Sequence, residues 1–317
     1  MNVEDLAPAV RPTFYFIGVT TSKSSIMKVF PKWAEYLGLG DVKIRGIDCR
    51  VHDDPETYHR IVAFIKTDPL SLGALVTTHK MDLLAASRDL FEYLDPYAEV
   101  LGEISSISKR GNQLRGHAKD PITSGLSLDA FVKPGYWAET GAELCILGAG
   151  GSSLALSCFI MAQKPKGEWP SRVIVTNRSG GRLDHMKKVH AGINPGILVD
   201  YVLADTTAVN DAVVSGLKPG SLIVNATGLG KDAKGSPLSE AAIFPDHGLV
   251  WEYNYRGELV FLDLAKEQEK ARSLTIEDGW IYFIHGWTRV IAEVFDVEIP
   301  TQGPAFDEIC RIAAACR

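Results

Sequence analysis

Short apolar runs alternate with amphipathic stretches along most of this chain, and that alternation predicts repeated strand–helix units. Thr13 to Val19 (TFYFIGV) reads as a buried strand, followed by a polar loop at 20–25. From Ile26 to Leu37, residues Ile26, Val29, Phe30, Trp33 and Leu37 fall on one face at helical spacing. Val42–Ile47 predicts a second strand. Asp54-Pro55-Glu56 then supplies an N-cap, a proline at the first helical position and an early acid, so a helix is expected to Lys66. Gly73–Thr77 predicts a third strand, delivering Thr78, His79 and Lys80 at its carboxyl end. Ile104–Ser108 and Gln113–Arg115 predict a hairpin about Arg110-Gly111-Asn112, and Leu126–Phe131 a helix. Further strands are expected at 144–147, 172–176, 197–203 and 222–225, with an apolar-rich helix over Trp280–Phe295. Met186–Lys188 and Asp263–Lys270 read as solvated helix faces. Such β–α alternation implies an α/β fold with parallel sheet and right-handed crossovers.

Bulk properties narrow the classes. A chain of 317 residues, 46% hydrophobic and 23% charged, suits about two globular domains. The net charge of −6 argues against nucleic acid as a partner. No stretch approaches the roughly 20 apolar residues of a membrane span. The opening MNVEDLAPAVRPTFYF lacks the basic segment and long apolar core of a secretory leader, so a cytoplasmic location is expected. Five scattered cysteines (Cys49, Cys145, Cys158, Cys310, Cys316) form no CxxC pair and fit reduced thiols. His52, Asp53, Asp54 and His59 superficially suggest metal ligands, but their order fits a helix N-terminus, and no metal is expected.

The most informative run is LCILGAGGSS (144–153), a buried strand ending in a glycine turn before a helix of small and apolar residues. Gly148 permits the tight turn and Gly150 lets main chain approach a pyrophosphate. Ser153 replaces the last small residue of the fingerprint, where helix and strand pack closely. Ala149, Gly151 and Ser152 complete a cradle whose backbone N–H groups and helix dipole face phosphates. At the end of the next strand stand Asn177, Arg178 and Ser179, with Arg182 a helical turn on. An acid there would read a ribose 2′-hydroxyl; guanidinium groups suit a 2′-phosphate, so NADP is favoured over NAD. Asn225, Ala226 and Thr227, after a later strand, are expected near the nicotinamide or its ribose.

Oxidation of an alcohol also needs a group to take the hydroxyl proton. Lys80, after a buried strand, is the leading candidate, since burial and nearby positive charge would lower its pKa. Asp120, in HAKDPITSG, is its natural partner.

Several ordered motifs now carry a resemblance to the shikimate/quinate dehydrogenase family over nearly the whole chain. Ser22-Lys23-Ser24 resembles the family's Ser-x-Ser element, LVTTHK (75–80) its NVTxPxK, and GEISSI (102–107) its GAVNT. GHAKD (116–120) stands for GxNTD, while VTNRS (175–179) and VNATGLG (224–230) are close to further family elements. EDGWIYFIHGW (277–287) resembles the closing DGxxMLxxQ helix. The resemblance implies an N-terminal α/β substrate domain over 1–121 completed by 276–317, a Rossmann domain over 122–275, and a cleft between them. It also implies that Ser22 and Ser24 hold a substrate carboxylate while Lys80 and Asp120 form the proton-transfer pair.

The departures fall on substrate recognition. Ala74 or Leu75 stands for the asparagine of the NVT element, Ser105 for that of GAVNT, Ala118 for that of NTD, and His285 or Gly286 for the closing glutamine. Thr77, Ser105 and Tyr255 are expected at the substrate. His117 is read as either a substrate contact or a satisfied loop histidine, and His285 as a polar contact or a helix-packing residue. The resulting expectation is an NADP-dependent dehydrogenase acting on a cyclic hydroxylated carboxylate other than shikimate, as a monomer or homodimer. The alternative is a non-catalytic metabolite- and cofactor-binding regulator on the same fold.

Overall fold

A computed structural model describes residues 3–165, 167–194, 196–231 and 233–317; Met1 and Asn2 of the opening segment lie outside them. The chain divides into two compact units, Met1–Lys119 with Ile284–Arg317, and Asp120–Phe283. Each is built on its own six-stranded sheet.

In the first unit the strands are β1 (Thr13–Gly18), β2 (Lys43–Asp48), β3 (Ser71–Val76), β4 (Tyr93–Leu94), β5 (Ser106–Arg110) and β6 (Gln113–His117), in the order β2-β1-β3-β5-β6-β4. The sheet is mixed. β1 pairs in parallel with β2 and β3, but β5 runs antiparallel to β3 and to β6. The hairpin expected about Arg110-Gly111-Asn112 is present, with Gly111 at φ 60°, and its antiparallel strands are what make the sheet mixed. β1 is buried along its whole length and reads as a continuous apolar run for that reason. Helix Ile26–Tyr36 buries Ile26, Val29, Phe30 and Trp33, the apolar stripe of the sequence, and Trp33 Nε1 donates to Ile309 O (3.0 Å) of helix Pro304–Ala314. Asp54 caps helix Pro55–Thr67 by accepting from Glu56 N.

The second unit contains β7 (Leu144–Leu147), β8 (Val173–Asn177), β9 (Val199–Leu203), β10 (Leu222–Asn225), β11 (Leu249–Glu252) and β12 (Thr275–Glu277). All its pairings are parallel, in the order β12-β11-β10-β7-β8-β9. Counted from β7, that order is 3-2-1-4-5-6, the doubly wound dinucleotide arrangement, with chain direction across the sheet reversing between β7 and β10. Helix Asp120–Asp129 starts six residues before the expected Leu126, because Pro121 sits where its missing N–H costs nothing. Gly125 lets this helix close on helix Gly151–Gln163; a Cβ there would lie 2.2 Å from the Phe159 ring. The two supposed solvated faces are also corrected. Met186 is buried in helix Gly180–Ile193, and Leu264 and Ala265 are buried in helix Val260–Arg272, where they join the core under β10 and β11.

Among the described residues no helix is long and apolar enough to cross a membrane. The same residues include no group of three His, Cys, Asp or Glu arranged to hold a metal ion.

Candidate active site

The carboxyl ends of β7, β8 and β10 build one edge of the second unit. Gly148 turns off β7 at φ 103°, and a Cβ on it would sit 2.9 Å from Ala226 O and 3.2 Å from Thr227 Cα. The turns after β7 and β10 therefore meet at the point where the strand order reverses, the place where open α/β sheets take ligands. Gly150, exposed and extended at the N-cap of helix Gly151–Gln163, has no atom within 4 Å of where a Cβ would project. That open main chain and the N–H groups of the first helical turn, Gly151, Ser152 and Ser153, suit a pyrophosphate. Two details modify the expected cradle. Ala149 N donates to Asn177 Oδ1 (3.2 Å), so this N–H holds β7 to β8 rather than facing outward. Ser153 is fully buried, consistent with close helix–strand packing. Asn177 Nδ2 also donates to Ser179 O (3.0 Å), fixing the short segment that carries exposed Arg178, and Arg182 is exposed as well.

On the β10 side, sequence reasoning missed a buried carboxyl. Glu252, at the end of β11, accepts from Asn225 Nδ2 (2.5 Å) and from Asn254 N (2.7 Å). Asn225 Oδ1 in turn accepts from Thr227 N (3.1 Å) and Thr227 Oγ1 (2.7 Å). The available signal was an acid closing the apolar run LVWE. Burial pushes the Glu252 carboxyl up to about 7, although both amide donors hold it down. Nearby, Tyr255 packs on Trp280 and Phe283, half-buried in an aromatic cluster. Asp120 is buried at the start of its helix. Burial above all, with smaller contributions from Tyr282 and Asp120, raises the pKa of the Tyr253 hydroxyl, which donates to Ser124 Oγ (3.5 Å).

The first unit gathers a second set at one sheet edge. Ser22 and Ser24 lie in the turn after β1, exposed and half-buried respectively. Thr77, just past β3, donates its N–H to Ile17 O (2.9 Å). Ser105 lies beside it, accepting from Val76 N and donating its own N–H to His117 O (both 2.9 Å). Ser22, Ser24, Thr77, Lys80, Ser105 and His117 thus share the end of this sheet. Between Thr77 and Lys80 the chain makes a strained three-residue turn. Thr78 takes φ 60°, unusual for a β-branched residue, while His79 N donates to Thr77 O at 2.5 Å. Lys80 then opens helix Lys80–Ser87. His79 turns inward to Tyr58 (Nδ1 to OH, 3.0 Å), and burial lowers its pKa.

Recognition groups at this edge are already engaged inside the unit. Ser105 Oγ accepts from Lys119 N (2.8 Å), and Asp95 Oδ1 accepts from Ala118 N (3.1 Å). Glu293, the lone acid of helix Trp280–Phe295, takes Lys119 Nζ at 2.8 Å and His117 Nε2 at 3.4 Å. Desolvation alone would raise the Glu293 pKa, but the Lys119 hydrogen bond and nearby positive charges hold it below the usual carboxylate range. Burial, followed by the Lys119 charge, lowers His117 to about 4 and keeps it neutral. His285 does not join the edge. It is buried, stacked on Phe306 (centroids 4.6 Å apart, planes 8°) and lowered to about 4 by desolvation, as a packed ring of the helix would be.

Fold and edge together define a two-unit α/β protein with a dinucleotide-type Rossmann unit. No family model matches the chain. It is 27% identical over 176 residues to a shikimate dehydrogenase (NADP(+)) of Lactococcus lactis subsp. cremoris, a match spanning 55% of this chain and 58% of that relative. It is 28% identical over 229 residues to a shikimate dehydrogenase (NADP(+)) of Mesorhizobium japonicum, covering 71% of each. Among solved structures, a quinate dehydrogenase from Corynebacterium glutamicum in complex with NAD superposes with TM-score 0.72 at 15% identity, covering 96% of this chain and 99% of that one. The chain is therefore similar in sequence to shikimate dehydrogenases and shares the fold of a quinate dehydrogenase.

Proposed function

We propose that the chain is an NADP-dependent dehydrogenase of the shikimate dehydrogenase type, acting on the CH–OH group of a cyclic hydroxylated carboxylate other than shikimate. The observation that carries the reading is the meeting of the Gly148 and Ala226 turns at the strand-order reversal, with Arg178 and Arg182 exposed at the end of β8 and no acid in their place. In this proposal Met1–Lys119 with Ile284–Arg317 binds substrate and Asp120–Phe283 binds the dinucleotide. Gly148, Ala149, Gly150, Gly151, Ser152 and Ser153 form the pyrophosphate turn, and Asn177, Arg178, Ser179 and Arg182 take the adenosine end and its 2′-phosphate. Asn225, Ala226 and Thr227 take the nicotinamide side.

A bound nicotinamide supplies the hydride acceptor or donor. The protein's own residues handle the proton and the substrate. Ser22 and Ser24 anchor the carboxylate, and Lys80 accepts the hydroxyl proton as the alcohol becomes a ketone; Asp120 is assigned to the same acid–base chemistry. Thr77, Ser105 and His117 contact the ring, and Tyr255 is assigned a substrate role. The substrate difference is supported by occupied or apolar groups at three positions. Ser105 Oγ is engaged with Lys119 N, His117 is held by Glu293, and Ala118 has no polar side chain. A site that hydrogen-bonds a hydroxyl discriminates strongly by that bond, so its loss rewrites specificity.

The test is nicotinamide absorbance across a panel of cyclic polyol acids, shikimate and quinate included, with NADP and with NAD. Turnover of a panel member faster than shikimate, and with NADP over NAD, is expected. Shikimate as the best substrate would overturn the specificity reading, and tight NADPH binding without turnover of any member would overturn the catalytic one.

A further inference from the structure

We propose that Glu252 is a positioning residue for the nicotinamide half of the dinucleotide, acting through the loop that follows β10; the inference rests on the function proposed above. Arg178 and Arg182 assign the adenosine end of a dinucleotide to the β8 side of the reversal. The other half then lies over β10, where the chain passes from Asn225 to Leu229.

Glu252 holds that loop at both ends. At the start, its carboxylate orients the Asn225 amide (2.5 Å), which leaves Asn225 Oδ1 to accept both the N–H and the hydroxyl of Thr227. At the far end, its second oxygen fixes Asn254 N (2.7 Å), and Asn254 Nδ2 donates to Leu229 O (3.3 Å). Gly230 O, the next carbonyl, accepts from Glu258 N (2.7 Å) in the same Asn254-to-Glu258 stretch. The carboxyl is wholly buried, and Lys231 is the cation whose charge reaches it. A buried acid with two amide donors is stable only while both remain aimed at it, so the acid sets their direction rather than adding a cheap contact. The close approach of Gly148 to Ala226 transmits any shift of this loop to the pyrophosphate turn at van der Waals range.

The experiment titrates NADPH and 2′,5′-ADP, the adenosine-end fragment, into full-length wild type, Glu252→Gln, and Glu252→Gln combined with Asn225→Asp. The single substitution keeps shape but sets an amide donor against Asn225 Nδ2 or Asn254 N. NADPH affinity is expected to fall about tenfold while 2′,5′-ADP stays within about twofold, as loss of one charge-assisted hydrogen bond at the nicotinamide side implies. The double variant exchanges donor and acceptor across the same contact and is expected to recover NADPH affinity over the single variant. Unchanged NADPH binding in Glu252→Gln overturns the inference alone. Equal loss of both ligands without recovery in the double variant also overturns it, since that marks a purely structural role. Wild type that binds neither ligand overturns the cofactor reading, and this inference with it.

Discussion

At the edge of β7, β8 and β10 the groups offered to a ligand are largely main chain: an open Gly150, the first N–H groups of a helix, and two exposed guanidinium groups beside them. At the edge of β1, β3, β5 and β6 they are side chains, and two are already engaged, Ser105 Oγ by Lys119 N and His117 by Glu293. Main-chain recognition depends on conformation and tolerates sequence change. Side-chain recognition depends on residue identity and changes with each substitution. That contrast explains why the glycine turn is readable as a local string while the side-chain edge is not.

The contrast can be broken most severely at Lys80. Lys80→Ala is expected to lower turnover by about two to four orders of magnitude, the usual contribution of a positioned acid–base group, with NADPH affinity kept. Wild-type turnover in stopped-assay kinetics would remove the proton relay from this edge. Acid should damage both units through their neutral buried histidines. His117, His190 and His285 are each lowered from 6.5 to about 4, chiefly by burial. The unfolded chain therefore binds more protons, so stability is full above about pH 6.5 and is lost as pH falls toward 4, on the order of 3 kcal/mol per histidine at most. Urea unfolding at stepped pH measures this, and a flat profile would contradict the burial assigned to these rings.

Smaller effects sharpen the picture. Replacing Arg178 and Arg182 together with alanine should cost NADP about tenfold in KM and leave NAD nearly unchanged, as expected for lost charge-assisted bonds. An equal loss for both cofactors would place the 2′-phosphate elsewhere. Glu293→Gln should destabilise the first unit by about 1 to 2 kcal/mol, since Lys119 and His117 lose a charged partner that is itself mostly buried. Thermal melts read that change, while 2′,5′-ADP binding by the second unit should not move.

Legibility followed the length and periodicity of each element. Leu144–Leu147, Leu222–Asn225 and Trp280–Phe295 match the expected bounds because uninterrupted apolar runs or a long helical stripe mark them. β11 (Leu249–Glu252) is as long as the two legible strands yet is not among the expected elements, and β12 (Thr275–Glu277), with three residues, is too short for any alternation to register. Asp120-Pro121 carries the same Asp-Pro signal as helix Pro55–Thr67, but Ile122 to Gly125 carry no apolar stripe to extend it, so the helix is legible only from Leu126. The candidate site shows the same division. The glycine turn and the Thr77–Lys80 segment stand out as local strings. Glu252 and Glu293 do not, because a lone acid in an apolar run acquires meaning only from donors 27 and 174 residues away.

The first unit is assembled from both extremities of the chain, with Trp33 donating its indole hydrogen to the carbonyl of Ile309. During synthesis that tryptophan leaves the ribosome long before its acceptor exists, whereas residues 120–283 emerge as one uninterrupted block. Nascent chains should thus complete the unit over 120–283 while the other unit still waits for its last helix. Premature termination would release that unit finished beside one that lacks its closing helices.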